Sequence, residues 1–251
     1  MSDFRNGYSI PQTVDMSVDA GLRKFMLGVY NKVALGLLVS AVLAYITGSV
    51  PAVTQLLFNT AVFPDGVTRI TGYTLLGMIV AFSPLVILLG SNFVMKNPTS
   101  GGASALYWLI VALIGASMGT VVLLYTGASV VQTFLITAAA FGALSLFGYT
   151  TKKDLTGIGS FLIMGVIGLI IASVVNMFLQ NGMMQLIISA AGVLIFAGLT
   201  AYDTQRLKMT YYAIGGNENA MGVATSYGAL SLYINFINMF QFLLALFGGR
   251  R

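Results

Sequence analysis

Residues 157–179 read GIGSFLIMGVIGLIIASVVNMFL, an apolar run without a single charged side chain. About 20 apolar residues, at 1.5 Å rise each, cross the ~30 Å hydrocarbon layer of a bilayer. The run therefore predicts a membrane-spanning helix. Polar turn clusters bound it on both sides, Thr150-Thr151-Lys152-Lys153-Asp154 before and Gln180-Asn181-Gly182 after. The same alternation continues outward in both directions. Further apolar stretches at about 27–50, 73–94, 103–125, 129–149, 184–204 and 226–247 bring the expected number of spans to seven.

Composition agrees with that reading. Of 251 residues 57% are hydrophobic and 8% charged, and the mean hydropathy is +0.90. Soluble domains carry roughly 25% charged residues, so this chain lacks the means to cover a water-exposed surface. An all-α membrane protein, one helical bundle over residues 23–251, is expected, with no room for a soluble catalytic domain. Residues 1–22, which include Asp3, Asp15 and Asp19 and have no apolar core, predict a cytoplasmic tail rather than a cleavable signal peptide.

The chain has no cysteine and no histidine. Thiol nucleophiles, imidazole bases and the usual zinc ligands are thereby excluded. The net charge of +5 does not indicate nucleic acid, because the basic residues are dispersed over short loops. With the amino terminus inside, Arg5, Arg23, Lys24, Lys96, Lys152, Lys153, Arg206 and Lys208 are cytoplasmic, whereas Arg69, Arg250 and Arg251 are external. That asymmetry is what membrane orientation prefers. The Arg250-Arg251 pair is discordant, and a last segment that re-enters is the alternative to one that spans. Lys32 is expected to snorkel to the boundary.

Residues 51–72 predict an external loop, and 205–225 the longest polar connection of the second half. Pro84 predicts a kink in the second span. Gly115 and Gly119, with Gly159, Gly165 and Gly168, predict close helix packing within the bundle.

Asp203 is the acidic residue that falls inside an expected span, near the end of the sixth. Charge at that depth is costly, and such residues usually mark ion or proton paths. Asp203 is therefore a candidate proton sensor. Arg206, three residues on, is a candidate charge partner, and the plainer alternative is an interfacial ion pair that marks the helix end. In the last span Tyr227, Ser231, Asn235 and Asn238 are spaced by four, four and three and share a face, with Gln241 beside it. They serve either as interhelical hydrogen-bond partners or as the lining of a hydrated cavity. A cation path would use their oxygens together with Asp203, since hard cations prefer oxygen ligands.

Four strings make the sequence recognisable: Gln132-Thr133-Phe134-Leu135, the stretch from Phe141 to Leu155, Gly198-Leu199-Thr200-Ala201-Tyr202-Asp203-Thr204-Gln205, and the stretch from Ala229 to Phe240. Through them the chain resembles the Bax inhibitor (transmembrane Bax inhibitor motif) family, on its bacterial branch. The resemblance implies a seven-helix bundle whose last helix is surrounded by the other six, in a bacterial inner membrane. It also implies a pH-sensitive calcium leak controlled by two hydrogen-bonded aspartates, with at most a transient calcium contact at Asp203 and no bound cofactor. Asp203 matches the first aspartate; the second falls at Asn235. An arginine latch from the second helix has no counterpart, since residues 73–95 contain no basic side chain.

Losing one carboxylate removes the like-charge repulsion that makes two acids share a proton. A weaker or acid-shifted pH response is expected. Alternatives are a regulatory protein that binds a membrane-anchored quality-control protease, with the tail residues Phe4, Tyr8 and Ile10 as contact, and a proton-coupled transporter. Enzyme chemistry is not expected. Tyr202-Asp203 supplies one aspartate where an aspartyl protease needs two, the last span has no lysine for a Schiff base, and no phosphate-cradling glycine loop is present.

Overall fold

The computed structural model describes residues 19–63, 68–94, 97–214 and 216–250. Most of the expected tail, together with Lys96 and Arg251, lies outside the described residues. The elements in chain order are α1 (Ala20–Ser49), α2 (Pro51–Leu57), β1 (Phe58–Val62), β2 (Thr68–Tyr73), α3 (Leu75–Val94), α4 (Ser100–Ser117), α5 (Gly119–Leu124), α6 (Gly127–Thr150), α7 (Thr156–Leu179), α8 (Gly182–Ile214) and α9 (Glu218–Phe247). Among the described residues six helices are long and apolar enough to cross a membrane, counting α4 and α5 together, and Leu75–Ser91 of α3 is a shorter apolar segment. The chain is a helical membrane protein.

Three expectations change. Residues 51–72 hold a short helix and an antiparallel hairpin, with Phe58 opposite Tyr73 and Val62 opposite Thr68. The anchor is Phe58, 1% exposed, whose ring meets Tyr73 edge-on at 5.4 Å. The expected polar connection at 205–225 is mostly helix, because α8 runs on to Ile214 and α9 starts at Glu218. No proline or glycine interrupts 205–214, and the polar side chains there find partners on neighbouring elements. The third span breaks at Met118, whose N–H is shared between the carbonyls of Ile114 and Gly115.

Pro84 lies inside α3. It leaves the Val80 carbonyl without its usual backbone donor, and the Ser83 hydroxyl donates to that oxygen instead, at 3.0 Å. Close packing at Gly115 is as expected: a Cβ there would stand 2.6 Å from the Cα of Ser40 on α1. Gly168, by contrast, faces open space.

Burial sorts the helices. In α7 the side chains of Phe161, Met164, Ile171 and Phe178 are exposed, which suits hydrocarbon and not water. Helix α9 buries Leu232, Tyr233, Phe236, Met239, Phe240 and Leu244. It packs against α1, α4, α6 and α8, whereas α3 joins the bundle through α4 and α7 through α8.

Ends can be matched by hydrogen bonds. Near the start of α9, Asn219 accepts from the Ser100 N–H at 2.9 Å; past its end, the Gly249 carbonyl accepts from Thr126 N–H at 3.0 Å. Its 30 residues amount to about 45 Å at 1.5 Å each, so α9 runs the length of the bundle rather than turning back.

Candidate functional site

Asp203 is 5% exposed on α8, about three turns before that helix ends. Both of its oxygens are engaged. On Oδ2 the Ser231 hydroxyl donates at 2.5 Å and the Asn235 amide at 2.8 Å, both from α9. On Oδ1 the Arg206 guanidinium lies at 3.0 Å, one turn along the same helix. The two α9 donors are four residues apart, which sets them on one face toward α8. Asn235, 4% exposed, supplies an amide where a carboxylate is implied by the family resemblance.

The Arg206 side chain is 49% exposed and reaches from the buried acid toward the bundle end, with its charge 5.6 Å from the Tyr202 ring centre. The ion pair and the link to α9 are therefore present together. Close helix contact sets this geometry. A Cβ on Gly148 of α6 would come 2.2 Å from the Ala201 carbonyl oxygen, and one on Gly159 of α7 would come 2.4 Å from the Tyr202 ring.

Two sequence candidates stand apart. Asn238 donates to the Ile234 carbonyl of its own helix at 2.9 Å, and Tyr227 makes no hydrogen bond to Asp203. Among the described residues no cluster of three or more acidic side chains is available to hold a metal ion. Asp203 is a single carboxylate ringed by donors.

Sequence reasoning missed the other face of this α8 segment. Gln205 accepts from the Leu155 N–H and donates to the Lys153 carbonyl, both at 2.8 Å. Lys208 is not a solvated loop charge but 2% exposed, donating to the Tyr149 carbonyl at 2.7 Å. It thereby satisfies the carboxyl end of α6 with a cation, as helix polarity favours. The signal was available: Asp203 and Arg206 are three apart, as are Gln205 and Lys208, which marks two faces of a continuing helix.

Lys32 has partners the sequence did not show: its ammonium donates to Ser226 of α9 at 2.7 Å and to Ser104 of α4 at 3.1 Å. It lies 5.8 Å from the centre of the Tyr107 ring, whose hydroxyl donates to the Lys32 carbonyl at 2.6 Å. Ser226 and Asn235 are nine residues apart, half a rotation on an α-helix. The partly buried base of α1 and the buried acid of α8 thus lie against opposite faces of α9.

The family described as "Inhibitor of apoptosis-promoting Bax1" matches residues 22–251. A protein of Caulobacter vibrioides is 65% identical over 254 residues, covering 100% of both chains. One of Rickettsia prowazekii is 41% identical, covering 93% of this chain and 92% of its own. The inner membrane protein YbhL of Escherichia coli K12 is 40% identical, covering 92% of this chain and 94% of its own. Aligned over nearly its whole length, and with the Asp203 strings in place, the chain belongs to the Bax inhibitor family.

Proposed function

We propose that this protein is a passive, pH-sensitive leak for calcium or similar cations in a bacterial inner membrane. We read it as a seven-span bundle with α9 central, its amino terminus cytoplasmic and its carboxyl terminus external. The Escherichia coli relative is named an inner membrane protein. The orientation rests on charge: Arg23, Lys24, Lys152, Lys153 and Arg206 share one end of the bundle, the end expected to face the cytoplasm.

The observation that carries the reading is Asp203. A carboxylate 5% exposed inside a membrane bundle, bound to the most buried helix by two donors, is costly to keep without a use. Its protonation would exchange an ion-paired acceptor for a neutral acid and reset its bonds to α9. That is a two-state element linking pH to the packing of the central helix. We propose no enzymatic step and no resident cofactor. With Asn235 in place of a second acid, the pH response is weaker or acid-shifted compared with that of a two-aspartate relative.

The test is calcium entry into liposomes holding the wild type or Asp203→Asn, followed from pH 5 to 8. The leak reading expects wild-type flux down the calcium gradient with a pH dependence that the variant lacks. Saturable uptake that requires a proton gradient would turn the assignment to a coupled transporter. No flux from either protein would end the leak reading.

A further inference from the structure

The break between α4 and α5 opens beside a cavity of about 270 Å³ lined by Tyr73, Ser117, Thr120, Tyr125 and Gln241. It lies at the opposite end of the bundle from Arg206, lined by residues from the carboxyl-terminal part of α9, from α3 and from α5. Its chemistry is unlike that of the surrounding surface. Gln241 is an exposed amide in the last third of α9 and has no hydrogen-bond partner among the described residues. The hydroxyls of Tyr73 and Tyr125 are in the same position. Amides and hydroxyls left unpaired in hydrocarbon cost several kcal/mol, so these groups require water. The volume holds several molecules at roughly 30 Å³ each. Broken helices at membrane depth are tolerated where they line such a space.

One feature of α9 joins the cavity to the acid. Gln241, Asn238 and Asn235 follow one another at three-residue steps, about 4.5 Å of axial rise each. Gln241 is in the cavity, Asn235 bonds Asp203, and the side-chain oxygen of Asn238 between them accepts no bond among the described residues. We infer that this cavity is the water-filled outer mouth of the cation path, and that Gln241 and Asn238 pass a partly dehydrated cation toward Asp203. The ligand class is a hard cation, held by neutral oxygens and therefore weakly. The inference rests on the leak reading, but its test separates the two.

Because the native chain has no cysteine, single substitutions report cleanly. Gln241→Cys and the smaller change Ser117→Cys would be exposed to a membrane-impermeant quaternary-ammonium thiol reagent. Leu194→Cys, at an α8 position 73% exposed and near mid-span, is the lipid-facing control. Water-dependent labelling is expected at 241 and 117. At 194 it should be about 100-fold slower, because the reactive thiolate is disfavoured in hydrocarbon. A cationic adduct at 241 should then reduce calcium flux several-fold more than an anionic one. Labelling at neither position overturns the inference, as does an adduct at 241 that leaves normal flux unchanged, and in both cases the leak reading survives. Absence of flux from the unlabelled wild type would end both.

Discussion

Helix α9 meets a buried acid of α8 on one face and a partly buried base of α1 on the other, and the two are held differently. Asp203 faces a guanidinium, a hydroxyl and an amide, all donors. Lys32 faces two serine hydroxyls and the side of a tyrosine ring, with no carboxylate in ion-pair range among the described residues. The acid is therefore wired to the exposed end of the bundle through half-exposed Arg206, while the base only ties α1, α4 and α9 together. Lys32 is itself partly exposed, so what distinguishes the two sites is the ion-pair partner that Asp203 has and Lys32 lacks among the described residues.

Breaking the acid's side should have the largest structural effect. Asp203→Leu strands the buried Asn235 amide, which costs about 2 kcal/mol, while Arg206 recovers water. Thermal unfolding in detergent should show a clear loss for Asp203→Leu and a smaller one for Asp203→Asn, which keeps an acceptor for Asn235. Next in size is Asn235→Asp, which restores a second acid 32 residues after the first. Two carboxylates at this distance share a proton and titrate as a pair, so the flux transition should move toward neutral pH by about one unit or more. An unchanged transition would show that the partner at 235 does not tune the response.

On the other face, Lys32→Met removes the serine contacts but also relieves the cost of desolvating a charge. The two terms oppose each other, and the melting behaviour should shift by no more than about 1 kcal/mol. A collapse comparable to Asp203→Leu would erase the contrast between the faces. The smallest effect belongs to an acid wholly outside the membrane. The Thr156 side chain and backbone N–H donate to Asp154 and hold its carboxyl below the usual carboxylate range. Its contribution is complete above the ordinary aspartate value and is lost as pH falls through the lowered one. Thr156→Val should raise the Asp154 titration read from its carboxyl carbon shift, with little change in flux.

Much of the bundle was legible because the bilayer demands long apolar runs, and 157–179 and 226–247 declare themselves by length alone. The Gly115 packing and the Asp203–Asn235 pairing were also readable, the last through the family strings. What escaped depended on tertiary partners. Polar residues from 205 to 214 read as a loop because nothing local shows that Gln205 and Lys208 would dock on the end of α6. The partners of Lys32 were hidden because they lie 72 and 194 positions away in sequence. The hairpin at 58–73 was hidden for the same reason, its anchor being the packing of Phe58.

The most direct test compares, in one assay, the two charges that lie against α9. Calcium flux would be followed from pH 5 to 8 in liposomes holding Asp203→Asn and, separately, Lys32→Met. pH dependence should be lost in the first and retained in the second. Retention in Asp203→Asn with loss in Lys32→Met would contradict this and move the sensor to the other face of the helix.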